Sequence, residues 1–298
     1  MNKFKHKGYK GLKIILTISV IIISISFLTQ NNNVNSQNKM IVHYIDVGQG
    51  DCILIQVNNK NLLIDSGPSS NRKDLLDYLE NLNIKKLDYI IATHPHEDHI
   101  GNMDTIIKRY NIGSFYSPKV ITSSNTFESM ISALVDKNLK ISVLKKGVKG
   151  IDLGKNVEIQ VFYPLENISI DNLNDYSPII KITFVNNSFL FTGDAEVSTE
   201  NIVLSQNNNL NCDILKVGHH GSSTSTSEDF LISTNPAVAI ISVGKNNTYG
   251  HPTPETLSLL NSYNIKTLRT DINGTIIAIS DGKNINISTV SLNKKSYK

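Results

Sequence analysis

At 298 residues, the chain has about 260 beyond a basic N-terminal leader, enough to bury one substantial core in a single domain. Lysine and arginine number 29 and aspartate and glutamate 26, a net charge of +3, but five of the lysines lie in the leader and the remainder carries about −2. That balance leaves the main body without a strong electrostatic claim on duplex DNA. Lys137, Lys140, Lys145, Lys146 and Lys149 form either a local basic patch or a solvated face, and with no Trp any base stacking falls to Tyr and Phe.

Residues 1–30 open with Lys3, Lys5, Lys7, Lys10 and Lys13 and no acid, and continue in an apolar run over Ile14–Leu28. A basic region before a hydrophobic run predicts a signal peptide or signal anchor over residues 1–30, with a polar linker over residues 31–39 and the folded domain over residues 40–298. The protein is therefore expected to be exported, either extracellular or anchored on the outer face of the cytoplasmic membrane. Cleavage and anchoring both stay open: no small-residue cleavage site stands out, the charge asymmetry fits an anchor, and the run is short for a full span. An uncleaved leader would make the membrane a partner. No multi-span stretch is present that could carry DNA across a membrane.

Strands are expected at Met40–Val47, Cys52–Val57 and Asn61–Asp65, then a helix over Arg72–Asn81 with Leu75, Leu76 and Leu79 on one face. His43, on the first strand, reads as a packing residue. Leu87–Thr93 is an apolar, β-branched run and a buried strand. It leads into T-H-P-H-E-D-H-I-G, where His94 and His96, two apart on extended chain, point the same way. Asp98 and His99 follow at the start of an amphipathic segment. Two ligands can face one metal and two a second, because imidazole and carboxylate are what Zn²⁺ and its neighbours take up.

A helix over Thr126–Lys137 and a turn-rich crossing over Gly147–Gly154 lead to strands at Val157–Phe162 and Ile179–Val185. Asn174 and Asp175 stand just before the latter. S-F-L-F-T-G-D-A-E ends an apolar strand in Asp194, a candidate bridge between metals, with a simple helix N-cap as the other reading. K-V-G-H-H-G-S presents His219 and His220, of which one is expected to bind metal and the other to contact substrate or move protons. Ser222–Ser227 reads as a polar loop at the cleft rather than a source of a catalytic serine. After a strand at Ala237–Val243, the Lys245-Asn246-Asn247 turn and Tyr249 flank His251, ahead of a helix over Pro254–Asn264 and a strand at Thr275–Ile279. His251 either completes a metal shell, contacts a phosphate oxygen or leaving group, or caps that helix. Candidate substrate contacts are Ser222, Lys245, Asn247, Tyr249 and His251, and candidate catalytic groups are Asp98, His220 and His251. Alternating strand and helix signals place the domain in the α/β class. Cys52 and Cys212 are expected to be buried free thiols.

These motifs resemble the metallo-β-lactamase superfamily and, within it, the hydrolase domain of ComEC-type competence proteins. The matching residues are V-H-Y-I-D-V-G-Q-G-D (Val42–Asp51), L-L-I-D-S-G (Leu62–Gly67), T-H-P-H-E-D-H-I-G, N-D-Y-S, F-T-G-D-A-E, L-K-V-G-H-H-G-S and I-S-V-G-K-N-N-T-Y-G-H-P. The resemblance implies an αββα sandwich with a dinuclear site at one edge of two sheets. Its implied ligands are His94, His96, Asp98, His99, Asp194, His219 and His220, with Asp65 and Asp46 supporting them from behind. Many members supply one more histidine between the first motif and the bridging Asp. None occurs here between Ile100 and Gly218, and Asp175 is the nearest positional substitute unless it is an ordinary turn residue. An added carboxylate would favour harder ions, so the expected cofactors are two divalent ions, Zn²⁺ or Mn²⁺.

The chemistry expected is hydrolysis by a hydroxide bridged between two ions about 3.5–4 Å apart. A phosphodiester is the expected substrate, with DNA first among them as the resemblance implies. Cell-envelope phosphoesters such as decorated teichoic acid are the alternative, and a non-enzymatic envelope or DNA-uptake role is a third. β-Lactam hydrolysis ranks below these.

Overall fold

The computed structural model describes residues 38–166 and 171–290. The expected leader and linker lie outside these residues, except for the linker's last two positions. Among the described residues no helix is long and apolar enough to cross a membrane.

Two mixed sheets carry the fold. The first half of the chain forms β1 (Met40–Tyr44), β2 (Ile53–Val57), β3 (Lys60–Ile64), β4 (Lys86–Ile91), β5 (Asn111–Ser117) and β6 (Ile141–Val143). The second half forms β7 (Val157–Tyr163), β8 (Ile179–Phe184), β9 (Asn187–Phe191), β10 (Ile214–Lys216), β11 (Val238–Ile241) and β12 (Lys266–Arg269), before β13 (Thr275–Ser280) and β14 (Ile285–Val290) return to the first sheet. The sheet orders are β14-β13-β1-β2-β3-β4-β5-β6 and β12-β11-β10-β9-β8-β7. The turn-rich crossing at 147–154 does connect the two sheets. Asn58 and Asn59 join β2 to β3 with φ of 51° and 60°, the left-handed pair that a two-residue hairpin needs.

Strand alternation sorts the apolar residues into layers. Ile53, Ile55, Leu62 and Ile64 meet Ile180, Ile182, Phe189, Phe191, Ile214 and Ile240 in a core between the sheets. Leu54, Leu63 and Ile90 face outward onto α1 (Arg72–Asn81), α2 (Glu97–Ile100), α3 (Met103–Arg109) and α4 (Asn125–Asp136). On the far side Leu190, Leu215, Ala239 and Ile241 face α5 (Val197–Leu204), α6 (Glu228–Thr234) and α7 (Pro254–Ser262). A short α8 (Thr270–Asn273) precedes β13. Helix starts use side-chain caps where the loops supply them: Ser124, Ser227 and Thr253 accept from the amides of Phe127, Phe230 and Thr256. The layers are helix, sheet, sheet, helix, as expected. Cys52 and Cys212 are buried free thiols.

Candidate metal centre

β3, β4 and β5 run parallel in one sheet and β9, β10 and β11 in the other, so their C-terminal ends share a direction within each sheet. Four of the motifs leave such an end: Asp65 follows β3, the His94–His99 segment follows β4, Asp194 follows β9, and His219 and His220 follow β10. Asp65, His219 and His220 have φ of 58°, 46° and 54°, left-handed values that cost a non-glycine residue free energy and cluster at functional sites.

The side chains converge. Oδ2 of Asp194 lies 3.1 Å from Nε2 of His99, 3.4 Å from Nε2 of His220, and 3.9 Å from Nε2 of both His94 and His219. Oδ2 of Asp98 is 3.2 Å from Nε2 of His220, and Nε2 of His94 is 2.9 Å from Nδ1 of His96. One ligand atom each from Asp98, His99, Asp194 and His220 all fall within 4.8 Å of one another. Behind them, Asp65 accepts from Nδ1 of His99 at 2.8 Å and from the amide and hydroxyl of Thr93 at 2.8 and 2.6 Å. That fixes the His99 tautomer and turns Nε2 towards the cleft.

A divalent cation fits this set. His99 Nε2, His220 Nε2 and Asp194 Oδ1 are buried atoms without hydrogen-bond partners, and all belong to the four-residue cluster. Burial alone would raise the carboxyl pKa of Asp194, yet His220 and His99 hold it well below the usual range. Burial alone would lower His220, yet Asp194 and then Asp98 and Asp51 push it up to about 10. His99 is likewise raised well above its ordinary value, against burial, by Asp194, Asp98 and Asp65. Protons on imidazole thus balance the carboxylates where a metal would otherwise do so. His94 goes the other way, lowered by burial and by His99, and is neutral and able to donate a lone pair.

Other expected site residues sit elsewhere. Asp175 does not join the cluster: its Oδ1 accepts from the hydroxyls of Ser198 and Thr199 at 2.8 and 3.0 Å, tying its turn to the start of α5. Asn174, one position earlier, is the residue that reaches inward, with Nδ2 3.0 Å from Oε1 of Glu196 and 3.5 Å from Nε2 of His219. Ser177 adds a hydroxyl 3.2 Å from Nδ1 of His94 and accepts from the Asp194 amide. Asp46 caps its own turn, accepting from the Gly48 amide at 3.2 Å, so its carboxylate is spent locally. The carboxylate that this loop sends towards the ligands is Asp51, 3.7 Å from Nδ1 of His220 and ion-paired with Lys216 at 2.8 Å. Both lie in motifs quoted above, but nothing in the spacing joined them. His219 is set back from the cluster, its Nδ1 3.3 Å from the Thr224 hydroxyl.

The far wall is the loop after β11. Asn247 donates to the carbonyls of Gly244 and His251 and accepts from the amides of Tyr249 and His251, so it organises the loop rather than facing substrate. It presents His251, whose ring centroid is 5.4 Å from that of His219, with exposed Tyr249 stacked on it at 5.9 Å. Burial, and then His219 and His220, lower the pKa of His251. Ser222 is buried in the turn after His220, its hydroxyl 3.1 Å from that of Thr224, while Lys245 is exposed.

The comparisons agree with this architecture. Over 253 residues the chain is 34% identical to ComE operon protein 3 of Bacillus subtilis (strain 168), covering 79% of this chain and 32% of that protein. It is 31% identical over 240 residues to Recombination protein 2 of Haemophilus influenzae, covering 79% of this chain and 28% of that protein. It thus spans about a third of the length of these curated relatives. Among solved structures, the metallo-beta-lactamase fold protein YhfI from Bacillus subtilis aligns over 82% of this chain and 100% of its own, with a TM-score of 0.55 at 14% identity. The sequence profile of the metallo-beta-lactamase superfamily matches residues 45–245, and the chain belongs to that superfamily.

Proposed function

We propose that the protein is an exported, metal-dependent phosphodiesterase acting on nucleic acid outside the cytoplasmic membrane. The observation that carries the metal-dependent hydrolase reading is the convergence of Asp98, His99, Asp194 and His220, one ligand atom from each lying within 4.8 Å of the others, with Nε2 of His99 and of His220 buried and unsatisfied. Similarity to competence proteins over 79% of the chain supports DNA as the substrate, and the charge pattern of residues 1–13 supports export.

Bound divalent ions would activate water and neutralise phosphate charge. His99, Asp98 and His220 would hold one ion and His94 with His96 another, with Asp194 facing both. Asp65 keeps a proton on Nδ1 of His99, which leaves Nε2 free as a donor. His219 and His251 flank the cleft on the second half, and burial lowers the pKa of each. At neutral pH they are neutral imidazoles, fit to hydrogen-bond a phosphate oxygen or take a proton from water.

The test is turnover of bis-p-nitrophenyl phosphate and single-stranded DNA by the chain loaded with Mn²⁺ or Zn²⁺, with Asp194→Ala as control. Cleavage of both, lost in the variant, is the expected result. Diester cleavage without DNA degradation would move the substrate to envelope phosphoesters. No turnover of either by chain that binds metal would overturn the phosphodiesterase reading.

A further inference from the structure

Lys216 is fully buried, and strand alternation shows why. On β10, Leu215 belongs to the outer core while Ile214 belongs to the core between the sheets, so Lys216 points into the space between them. Its ammonium donates to the carbonyl of Val217 at 2.8 Å and pairs with Oδ2 of Asp51, also buried, at 2.8 Å. Such a pair seldom adds net stability, because desolvating two charges offsets their attraction and apolar side chains of similar size do as well. Stability therefore does not account for it.

Its surroundings do. The other oxygen of Asp51, Oδ1, is buried without a hydrogen-bond partner and stands 3.7 Å from Nδ1 of His220. Nδ1 of His220 donates to the Ser242 carbonyl at 2.8 Å, so the ring presents Nε2 to Asp98 and Asp194. The Asp51 amide donates to the Asp98 carbonyl at 3.2 Å, and a Cβ on neighbouring Gly50 would lie 2.1 Å from that carbonyl oxygen. One short segment thus holds Asp98 by its backbone and faces His220 by its side chain. Ligand atoms of Asp51, Asp65 and His99 also lie within 4.8 Å of one another, so two buried carboxylates crowd here, and Lys216 supplies positive charge beside Asp51.

We propose that Asp51, held in place by Lys216, is a positioning residue for His220, its carboxylate facing Nδ1 from 3.7 Å beside the Ser242 carbonyl that accepts the ring proton, and that this ion pair sets the metal affinity of the Asp98–His99–Asp194–His220 position. This rests on the metal-dependent hydrolase reading above. The Lys216–Asp51 contact also crosses between the sheets, so ligands from the two halves of the chain are registered by one buried pair.

The experiment compares the full chain with Asp51→Asn, with Lys216→Met, and with the double variant, which buries no lone charge and keeps a folded protein in hand. Affinity for Zn²⁺ is measured against a chelator, and the visible spectrum of Co²⁺ reports ligand geometry. Glu200→Gln, buried and bonded to the Thr226 and Ser227 amides, controls for a general loss of packing. The expected result is a roughly 10–100-fold loss of affinity for the tightest ion in each Asp51 and Lys216 variant, the size that outer ligand supports command. The Co²⁺ bands shift in those variants and stay unchanged in Glu200→Gln. Affinity and spectrum equal to wild type in the folded double variant would overturn this inference alone. Wild-type chain that takes up neither metal would overturn the metal reading and this inference with it.

Discussion

His43 is what a histidine of this chain looks like away from the cleft. It is buried, with Nε2 donating to Oε1 of Gln56 at 3.1 Å and Nδ1 2.8 Å from the Tyr78 hydroxyl. Burial lowers its pKa to about 4, against the opposing pull of Gln56. Because the folded value lies below the unfolded one, His43 is neutral in both states above pH 6.5 and has no effect there. As pH falls from 6.5 towards 4 only the unfolded chain takes the proton, and stability drops by ~3 kcal/mol. Denaturant unfolding of wild type and His43→Gln at neutral pH and at pH 4 should show their difference in stability changing by that amount. Parallel pH profiles would count against it. At this scale the cleft histidines were legible because H-x-H-x-D-H and G-H-H-G put several ligands within one local segment. Asp51 and Lys216 were not, because a lone lysine in an apolar strand carries no sign of the partner that folding brings to it. Asp175 was misplaced for the same reason: sequence order gives no clue that the hydroxyls of Ser198 and Thr199 claim its carboxylate.

Among elements, the tip of the loop between β11 and α7 is organised by the Asn247 side chain. Asn247 ties the amides of Tyr249 and His251 and the carbonyls of Gly244 and His251 to itself. On the phosphodiesterase reading proposed above, Asn247→Ala should therefore let His251 drift and cost roughly 100-fold in diester turnover, as misplacement of a catalytic group by about 1 Å can. His251→Ala should cost about as much, and the double variant little more than either, since both changes remove one function. Full activity in Asn247→Ala would show that the loop holds its shape without it. The unfolding midpoint should fall by no more than about 4 °C, the shift expected of ~1 kcal/mol in a domain of this size. Elements with long apolar periodicity were legible, and α1 occupies the span its pattern predicts. β5, β6, β12 and β14 were not named. β5 carries Gly113 at its centre, where a Cβ would lie 2.4 Å from the Asp88 carbonyl oxygen, a close approach that interrupts the usual strand signal. β6 has three exposed residues and β14 is largely exposed, so as sheet edges they bury too little to show in composition.

Over the whole molecule, the candidate ligands are divided between the halves: His94, His96, Asp98 and His99 follow β4 in the first sheet, and Asp194 and His220 follow strands of the second. Neither sheet holds a complete set, so metal binding would be linked to the packing of one against the other. The two ion positions proposed above would also be unequal. Asp98, His99, Asp194 and His220 form a closed group of four, whereas His94 comes no nearer to Asp194 than 3.9 Å and His96 lies against His94, with Asp175 committed to α5. A Zn²⁺ titration should therefore show one tight ion and one weaker ion, and the chain dialysed against a mild chelator should retain about one equivalent. Two equal sites would contradict the assignment. Removing the tight ion with EDTA should lower the unfolding midpoint by about 5–10 °C where free metal stood at 100 times its dissociation constant, a linkage of ~2.7 kcal/mol. The metal-free chain has a further dependence. The folded-state pKa of His220 is raised to about 10, so the stability from its pairing with Asp194 is fully present below the unfolded value near 6.5 and is lost as pH rises through 10. The metal-loaded chain holds no proton on Nε2 to lose. Midpoints of the two forms should therefore diverge with rising pH, the metal-free form falling and the loaded form holding, and each metal bound at neutral pH should release protons into an unbuffered solution.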